Sequence, residues 1–147
     1  MTVAVIGAGR MGAAMAGRLR ADDLPVVVFN RSPDKAVAVA ERTGAVVAAT
    51  ARDAFAQADV VVVSLADDDA LQAAYGRDDG LLAGVGDGVA ICDTSTVAPE
   101  TVRALAPEVA SRGGSLLDTP VSGSVPLVER GSSKSSTTKA PALNAFQ

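Results

Sequence analysis

The chain has 147 residues, a length that suits one domain around one core. Apolar residues make up 48%, mostly Ala and Val, with three Phe, one Tyr and no Trp, which favours close-packed helices on a sheet over an aromatic-rich interior. The formal charge of −4, with no basic cluster in residues 1–130, argues against a nucleic-acid surface, and the lack of any histidine removes the usual general base, any Ser-His-Asp triad and most zinc sites.

The chain opens on Val3-Ala4-Val5-Ile6-Gly7-Ala8-Gly9-Arg10-Met11-Gly12. A short apolar run ends in glycines at G-x-G-x-x-G spacing and passes into an alanine-rich stretch, Ala13–Leu19, in which Met11, Met15 and Leu19 recur at helical spacing. This reads as a strand over about Thr2–Ile6, a tight turn, and a helix over about Arg10–Ala21. In that context each glycine has a reason: Gly7 for the sharp turn, Gly9 so that a pyrophosphate can approach the backbone, and Gly12 for close packing of helix on strand. The opening amides of the helix, with the positive end of its dipole behind them, suit phosphate. Gly7, Ala8, Gly9, Arg10, Met11 and Gly12 are therefore candidate cofactor residues.

Asp22-Asp23 reads as a solvated turn. Pro25–Phe29 is an expected second strand whose continuous apolar run suits a parallel strand covered on both faces. Ser32-Pro33 then opens a helix, with Ser32 as N-cap, that runs to about Arg42 and stops at Gly44. Between strand and helix lies Asn30-Arg31-Ser32, where an NAD site usually carries an acid for the ribose 2′-hydroxyl. Arg31 offers a forked donor to a 2′-phosphate, with Asn30 and Ser32 as neutral partners, so NADP is the expected cofactor. The alternative is NAD, with Asn30 serving the ribose and Arg31 a solvated charge.

A short strand over Ala45–Ala48 follows, then a brief helix capped by Thr50, a strand at Val60–Val63 and a helix near Asp68–Tyr75. Asp67-Asp68-Asp69 reads as a helix N-terminus, where acids complement the dipole, in preference to a metal site. The glycines at 76, 80, 84, 86 and 88 mark a loop-rich passage. Val89–Cys92 is an expected strand in which Cys92 reads as a buried structural thiol. A helix over Pro99–Arg112 and a strand over Ser115–Asp118 complete the alternation. The fold expected is α/β, a doubly wound parallel sheet of Rossmann type. No segment is long enough to span a bilayer and no basic region precedes the first apolar run, which reads as a cytoplasmic protein.

The stretch Val5–Ala16 resembles the opening signature of the β-hydroxyacid dehydrogenase family, which includes 3-hydroxyisobutyrate dehydrogenase and the glyoxylate/succinic semialdehyde reductases. Asp118-Thr119-Pro120-Val121-Ser122-Gly123-Ser124 resembles its second signature, D-A-P-V-S-G-G, and Asp93-Thr94-Ser95-Thr96 with Pro99 its intervening D-x-S-T segment. Ala8 stands where the family usually has Leu, Ala66 where it has Pro and Ser124 where it has Gly. The resemblance covers about residues 2–131. It implies reversible hydride transfer between NADP and a small hydroxy acid or its semialdehyde. It further implies cofactor contacts from Leu65, Ala66 and Thr96 and a substrate carboxylate held by Ser122, Gly123 and Ser124. It implies no metal, and a homo-oligomer in the full-length form. A hydroxyl and free amides in a Ser-Gly-Ser turn suit an anionic oxygen, although Pro, Ser and Gly are also ordinary loop residues.

After Gly131 the chain departs from the family pattern. Residues 132–147 form a Ser/Thr/Lys-rich tail without strand or helix period, expected to be disordered, so residues 1–131 are the expected NAD(P)-binding domain. Lys134 and Lys139 stand in the wrong context for the family's acid–base lysine, so no complete catalytic set is expected here. This chain alone is then inactive or nearly so towards such substrates. A non-catalytic NAD(P)-binding module is the alternative function. An S-adenosylmethionine methyltransferase, which also uses a glycine turn after its first strand, fits the Gly7/Gly9/Gly12 set and Asn30-Arg31-Ser32 less well.

Overall fold

The computed structural model describes residues 1–122, 124–131 and 134–135. Strand β1 (Val3–Ile6) is buried at every position and lies at the centre of a six-stranded parallel sheet. On one side of it lie β2 (Val26–Phe29) and β3 (Val46–Val47); on the other lie β4 (Val60–Val63), β5 (Ala90–Asp93) and β6 (Ser115–Asp118). The order is β3-β2-β1-β4-β5-β6, with Val3 in register with both Val26 and Val60. Chain direction across the sheet therefore reverses between β1 and β4, the place where doubly wound sheets open a crevice at their carboxyl edge.

The alternation of side chains along β1 divides the core in two. Ala4 and Ile6 face a cluster built with Val61, Val63, Ile91, Phe55, Leu71, Tyr75 and Leu81. Val5 faces the other way, into a smaller cluster of Ala16, Val26, Val28, Ala36 and Val39. Both faces of the strand are dry, which explains why its sequence is an unbroken apolar run rather than an alternating one. The first cluster holds the bulky residues and the second is almost all Ala and Val, so the helices over the second must come close.

Helix α1 (Arg10–Ala21) does so. A Cβ on Gly12 would overlap the carbonyl oxygen of Gly7, so the helix start is pressed onto the end of β1 with no room for a side chain. Gly7 itself has φ +103, and a Cβ there would overlap the Ser64 carbonyl. Gly9 has φ −72, and nothing lies within 4 Å of where its Cβ would be. The three glycines thus separate into two that are enclosed and one that faces open space.

The remaining elements mostly follow the sequence. Helix α2 (Pro33–Thr43) ends at Gly44 in the left-handed conformation, φ 77. Helix α3 (Ala51–Ala56) is capped by Thr50, whose hydroxyl accepts from the Asp53 N–H at 3.0 Å. Helix α4 (Asp68–Gly76) is capped by Asp67, and α6 (Pro99–Ser111) begins at Pro99.

Four expectations are corrected. Ser32 makes no side-chain cap on α2; the Asn30 side-chain amide instead donates to the Ser32 carbonyl at 3.1 Å. The glycine-rich passage contains a short helix, α5 (Leu81–Gly84), because Leu81 and Leu82 are buried against α3, with Gly84 tight on Phe55. Cys92 is partly rather than fully buried; burial nonetheless pushes its thiol above the usual range. Ser122 lies in a two-residue strand, β7 (Val121–Ser122), and is followed by a helix, α7 (Val125–Glu129), that packs on α1 through buried Val128. Strand β7 pairs antiparallel with β8 (Lys134–Ser135), which falls inside the tail read from the sequence. The rest of that tail and Gly123 lie outside the described residues.

Gly7→Ala combines a disfavoured φ with a backbone overlap and should lower stability by roughly 2–4 kcal/mol, whereas Gly9→Ala, with allowed dihedrals and open space, should change it by less than about 0.5 kcal/mol. Urea unfolding of the two variants checks this; equal losses would mean the loop is not held as described.

Candidate functional site

The carboxyl ends of β1, β2 and β4 enclose a cleft of about 420 Å³ at the point where the sheet reverses. Its floor is Ile6, Gly7 and Gly9; one wall is Phe29, Asn30, Arg31 and Ser32; the other is Ser64, Leu65 and Ala66 with the first turns of α4. The sequence-derived candidates Gly7, Gly9, Asn30, Arg31, Ser32, Leu65 and Ala66 are thus brought together. Ala8 and Arg10 lie on the other side of the turn, lining a second, more open cleft of about 610 Å³ between α1, the end of α2 and α7. Met11 and Gly12 lie within the first turn of α1. Thr96 is exposed in the loop after β5, and Ser124 is exposed at the start of α7.

Asn30 joins the two sides of the floor. Its side-chain oxygen accepts from the Ala8 N–H at 2.9 Å while its amide donates to Ser32, so it clamps the glycine turn to the end of β2. The α1 N-terminus has no side-chain cap at Gly9. Its opening N–H groups have no partner within the helix and face a concavity with positive dipole behind them, which is what a phosphate requires. The open space above Gly9 leaves room for one to approach.

Two cleft cations escaped the sequence reading. Lys35 lies in the first turn of α2, four residues after Arg31, and Arg77 follows α4 on the facing wall. Lys35 was discernible as a cation in the first turn of the helix that follows Arg31. Arg77 was not, because only the packing of α4 across the sheet brings it there. Arg77 is paired with Asp79 at 3.2 Å, in an exposed setting where such a pair contributes little.

Behind the β4 wall lies a polar network inside the core. Ser95 is 5% exposed, and its hydroxyl accepts from the Leu65 N–H at 2.9 Å. Its own N–H donates to the fully buried Asp93 carboxylate at 3.0 Å. Burial pushes the Asp93 carboxyl above the usual carboxylate range; the Ser95 bonds oppose that rise and the charge of Asp118 adds to it. Among the described residues the second Asp93 oxygen and the Tyr75 hydroxyl have no partner, and the Tyr75 phenol is pushed up by burial first and by the Asp93 charge second. Asp67 and Asp68 act as caps: Asp67 accepts from the Ala70 N–H at 2.8 Å, and Asp68 reaches across to the Ala98 N–H at 3.2 Å and to the Thr101 hydroxyl. Among the described residues, no three His, Cys, Asp or Glu side chains cluster as metal ligands, and no helix is long and apolar enough to cross a membrane.

A six-stranded parallel sheet in this order, with a glycine turn and an uncapped helix start at its switch point, defines a doubly wound dinucleotide-binding domain. The family model described as the NAD binding domain of 6-phosphogluconate dehydrogenase matches residues 2–144, and the chain belongs to that family. It is 39% identical over 123 residues to a 3-hydroxyisobutyrate dehydrogenase of Pseudomonas aeruginosa, covering 84% of this chain and 41% of that protein. An NAD-dependent L-serine dehydrogenase of the same organism is 39% identical over 121 residues, covering 82% and 40%. The solved structure of Psf3 in complex with NADP+ and 2-OPP superposes with a TM-score of 0.85 at 38% identity, covering 96% of this chain and 49% of that one. The chain spans about two fifths of the length of the curated relatives it matches.

Because the folded Asp93 carboxyl holds its proton above the ordinary value of 3.8, the native state binds more protons than the unfolded state there, and stability falls as pH rises through that window. Asp93→Asn keeps the acceptor for the Ser95 N–H and removes the titration. The stability of this variant relative to wild type should therefore rise between about pH 4 and pH 7, measured by urea unfolding at several pH values. A difference independent of pH would show that Asp93 ionises normally.

Proposed function

We propose that the chain binds NADP across the carboxyl edge of β1, β2 and β4 and serves as the cofactor domain of a dehydrogenase acting on a small β-hydroxy acid or its semialdehyde. The observation that carries this reading is the composition of one cleft. It joins Gly9 at the uncapped start of α1 to Arg31 and Lys35, with no acid at the end of β2. In this reading the pyrophosphate lies over Gly9 and the first amides of α1, and a 2′-phosphate meets Arg31 with Lys35 beside it. The NADP+ in the Psf3 complex supports this choice. NAD is the second reading, favoured by the NAD-dependent L-serine dehydrogenase and by the room for a ribose hydroxyl beside Asn30.

The nicotinamide, when bound, supplies the hydride acceptor or donor. This chain's residues bind and orient: Leu65, Ala66 and Thr96 on the cofactor, and Ser122, Gly123 and Ser124 on a substrate carboxylate. The named activity of the Pseudomonas 3-hydroxyisobutyrate dehydrogenase supports a small hydroxy acid as substrate. Reaction also needs a proton donor, which typically contributes about 10²–10⁴-fold, and no described residue is assigned that role. The described residues are assigned binding and orienting roles, and turnover is proposed for a homo-oligomeric protein in which this domain works with a proton donor. A cytoplasmic location is proposed as part of the same reading.

Calorimetric titration should give tighter binding for NADPH than for NADH, and Arg31→Ala should remove most of the difference, on the order of 1–3 kcal/mol. Gly9→Val should abolish binding of both with an unchanged circular dichroism spectrum. Equal affinities in the wild type would remove the NADP assignment, and normal binding by Gly9→Val would remove the phosphate turn.

A further inference from the structure

The sheet ladder stops at Val63 on β4 and at Asp93 on β5, and beyond those residues the two chains are no longer paired. Cross-links outside the ladder hold them together. The Thr94 N–H and hydroxyl both donate to the Val63 carbonyl at 2.8 Å. One residue further on, the Leu65 N–H is taken by the Ser95 hydroxyl, a side chain filling the place of a missing ladder bond. Further out, Asp68 at the start of α4 binds the Ala98 N–H and the Thr101 hydroxyl at the start of α6. Ser95 is fixed in turn, because its N–H is anchored on Asp93, a carboxylate sealed in the core.

We infer that Ser95 is a positioning residue for the cofactor. Through the Leu65 N–H it fixes the height of the Leu65–Ala66 turn, and with the Asp68 tie it makes the loops after β4 and β5 a single rigid platform. The inference rests on the dinucleotide reading above and goes beyond it. Arg31 and Lys35, which that reading assigns to the adenosine end, stand in the loop after β2 and on α2, whereas the platform stands on the β4–β5 side of the turn. A dinucleotide lying across the switch point therefore puts its other half, the nicotinamide mononucleotide, against the platform. Ser95 is too deeply buried to touch the cofactor itself; it acts through the backbone it holds. A hydroxyl is needed here because Leu65 N–H requires an acceptor and the side chain must be short enough to stay inside the core.

The test separates the two halves of the ligand. Wild type, Ser95→Ala and Ser95→Thr are titrated with NADPH, followed by its fluorescence, and with adenosine 2′,5′-bisphosphate, which lacks the nicotinamide half, followed by calorimetry. Ser95→Ala should bind NADPH about three- to tenfold more weakly, the range for loss of one hydrogen bond, and bind the bisphosphate as wild type does. Ser95→Thr should recover most of the NADPH affinity. Amide exchange of Leu65 should quicken in Ser95→Ala and not in Ser95→Thr. A purely structural role would weaken both ligands alike or neither, and either result overturns the inference. Should Ser95→Ala fail to fold, Thr101→Val loosens the outer tie and must show the same split between the ligands, or the platform falls. A wild type that binds neither ligand instead overturns the dinucleotide reading itself.

Discussion

The structure depends on the contact between Gly12 and the carbonyl of Gly7. With no side chain at either residue, α1 begins directly on the end of β1, and its uncapped first turn stands at the centre of the sheet edge. The neighbouring loops take their places around that contact. Asn30 ties the turn to β2, and the Ser64 carbonyl presses on Gly7 from β4. The crevice is therefore a consequence of close packing: any larger residue at Gly7 or Gly12 would push helix and strands apart and displace the floor and both walls.

Much of this was legible from residue order. Strand β1 and α1 followed from an apolar run ending in glycines of fixed spacing, and β2 and β4 from valine runs that only a doubly covered sheet would bury. Thr50 was readable as a cap, and Asp67-Asp68-Asp69 as a helix start, because capping is a local event between residues three apart. Ser32 misled although the same local pattern was present: the Lys35 N–H that its hydroxyl would have capped bonds the Ser32 carbonyl at 3.2 Å instead.

What the sequence withheld was non-local. Helix α5 is too short to show a period, and it forms because Leu81 and Leu82 find a hydrophobic cover in α3 and α4. Helix α7 is stabilised by its seat on α1 rather than by its own composition, which includes a proline and lacks a side-chain cap. Arg77 reaches the cleft from the far end of a helix, and the tie between Ser95 and Leu65 spans thirty residues of sequence. Such pairings come from strand order, and strand order is fixed by the whole sheet at once.

The place of Tyr75 has a practical consequence. It is the only tyrosine in a chain without tryptophan, and it is completely buried on the inner face of α4 beside a carboxylate. The near-ultraviolet absorbance and emission of this protein therefore come almost entirely from one phenol in one dry setting. Its signal follows the integrity of the large half of the core and is blind to α1 and α2 on the opposite face. An optical melting curve of this molecule is a local measurement, and agreement with a backbone probe would be direct evidence that both faces of the sheet come apart together.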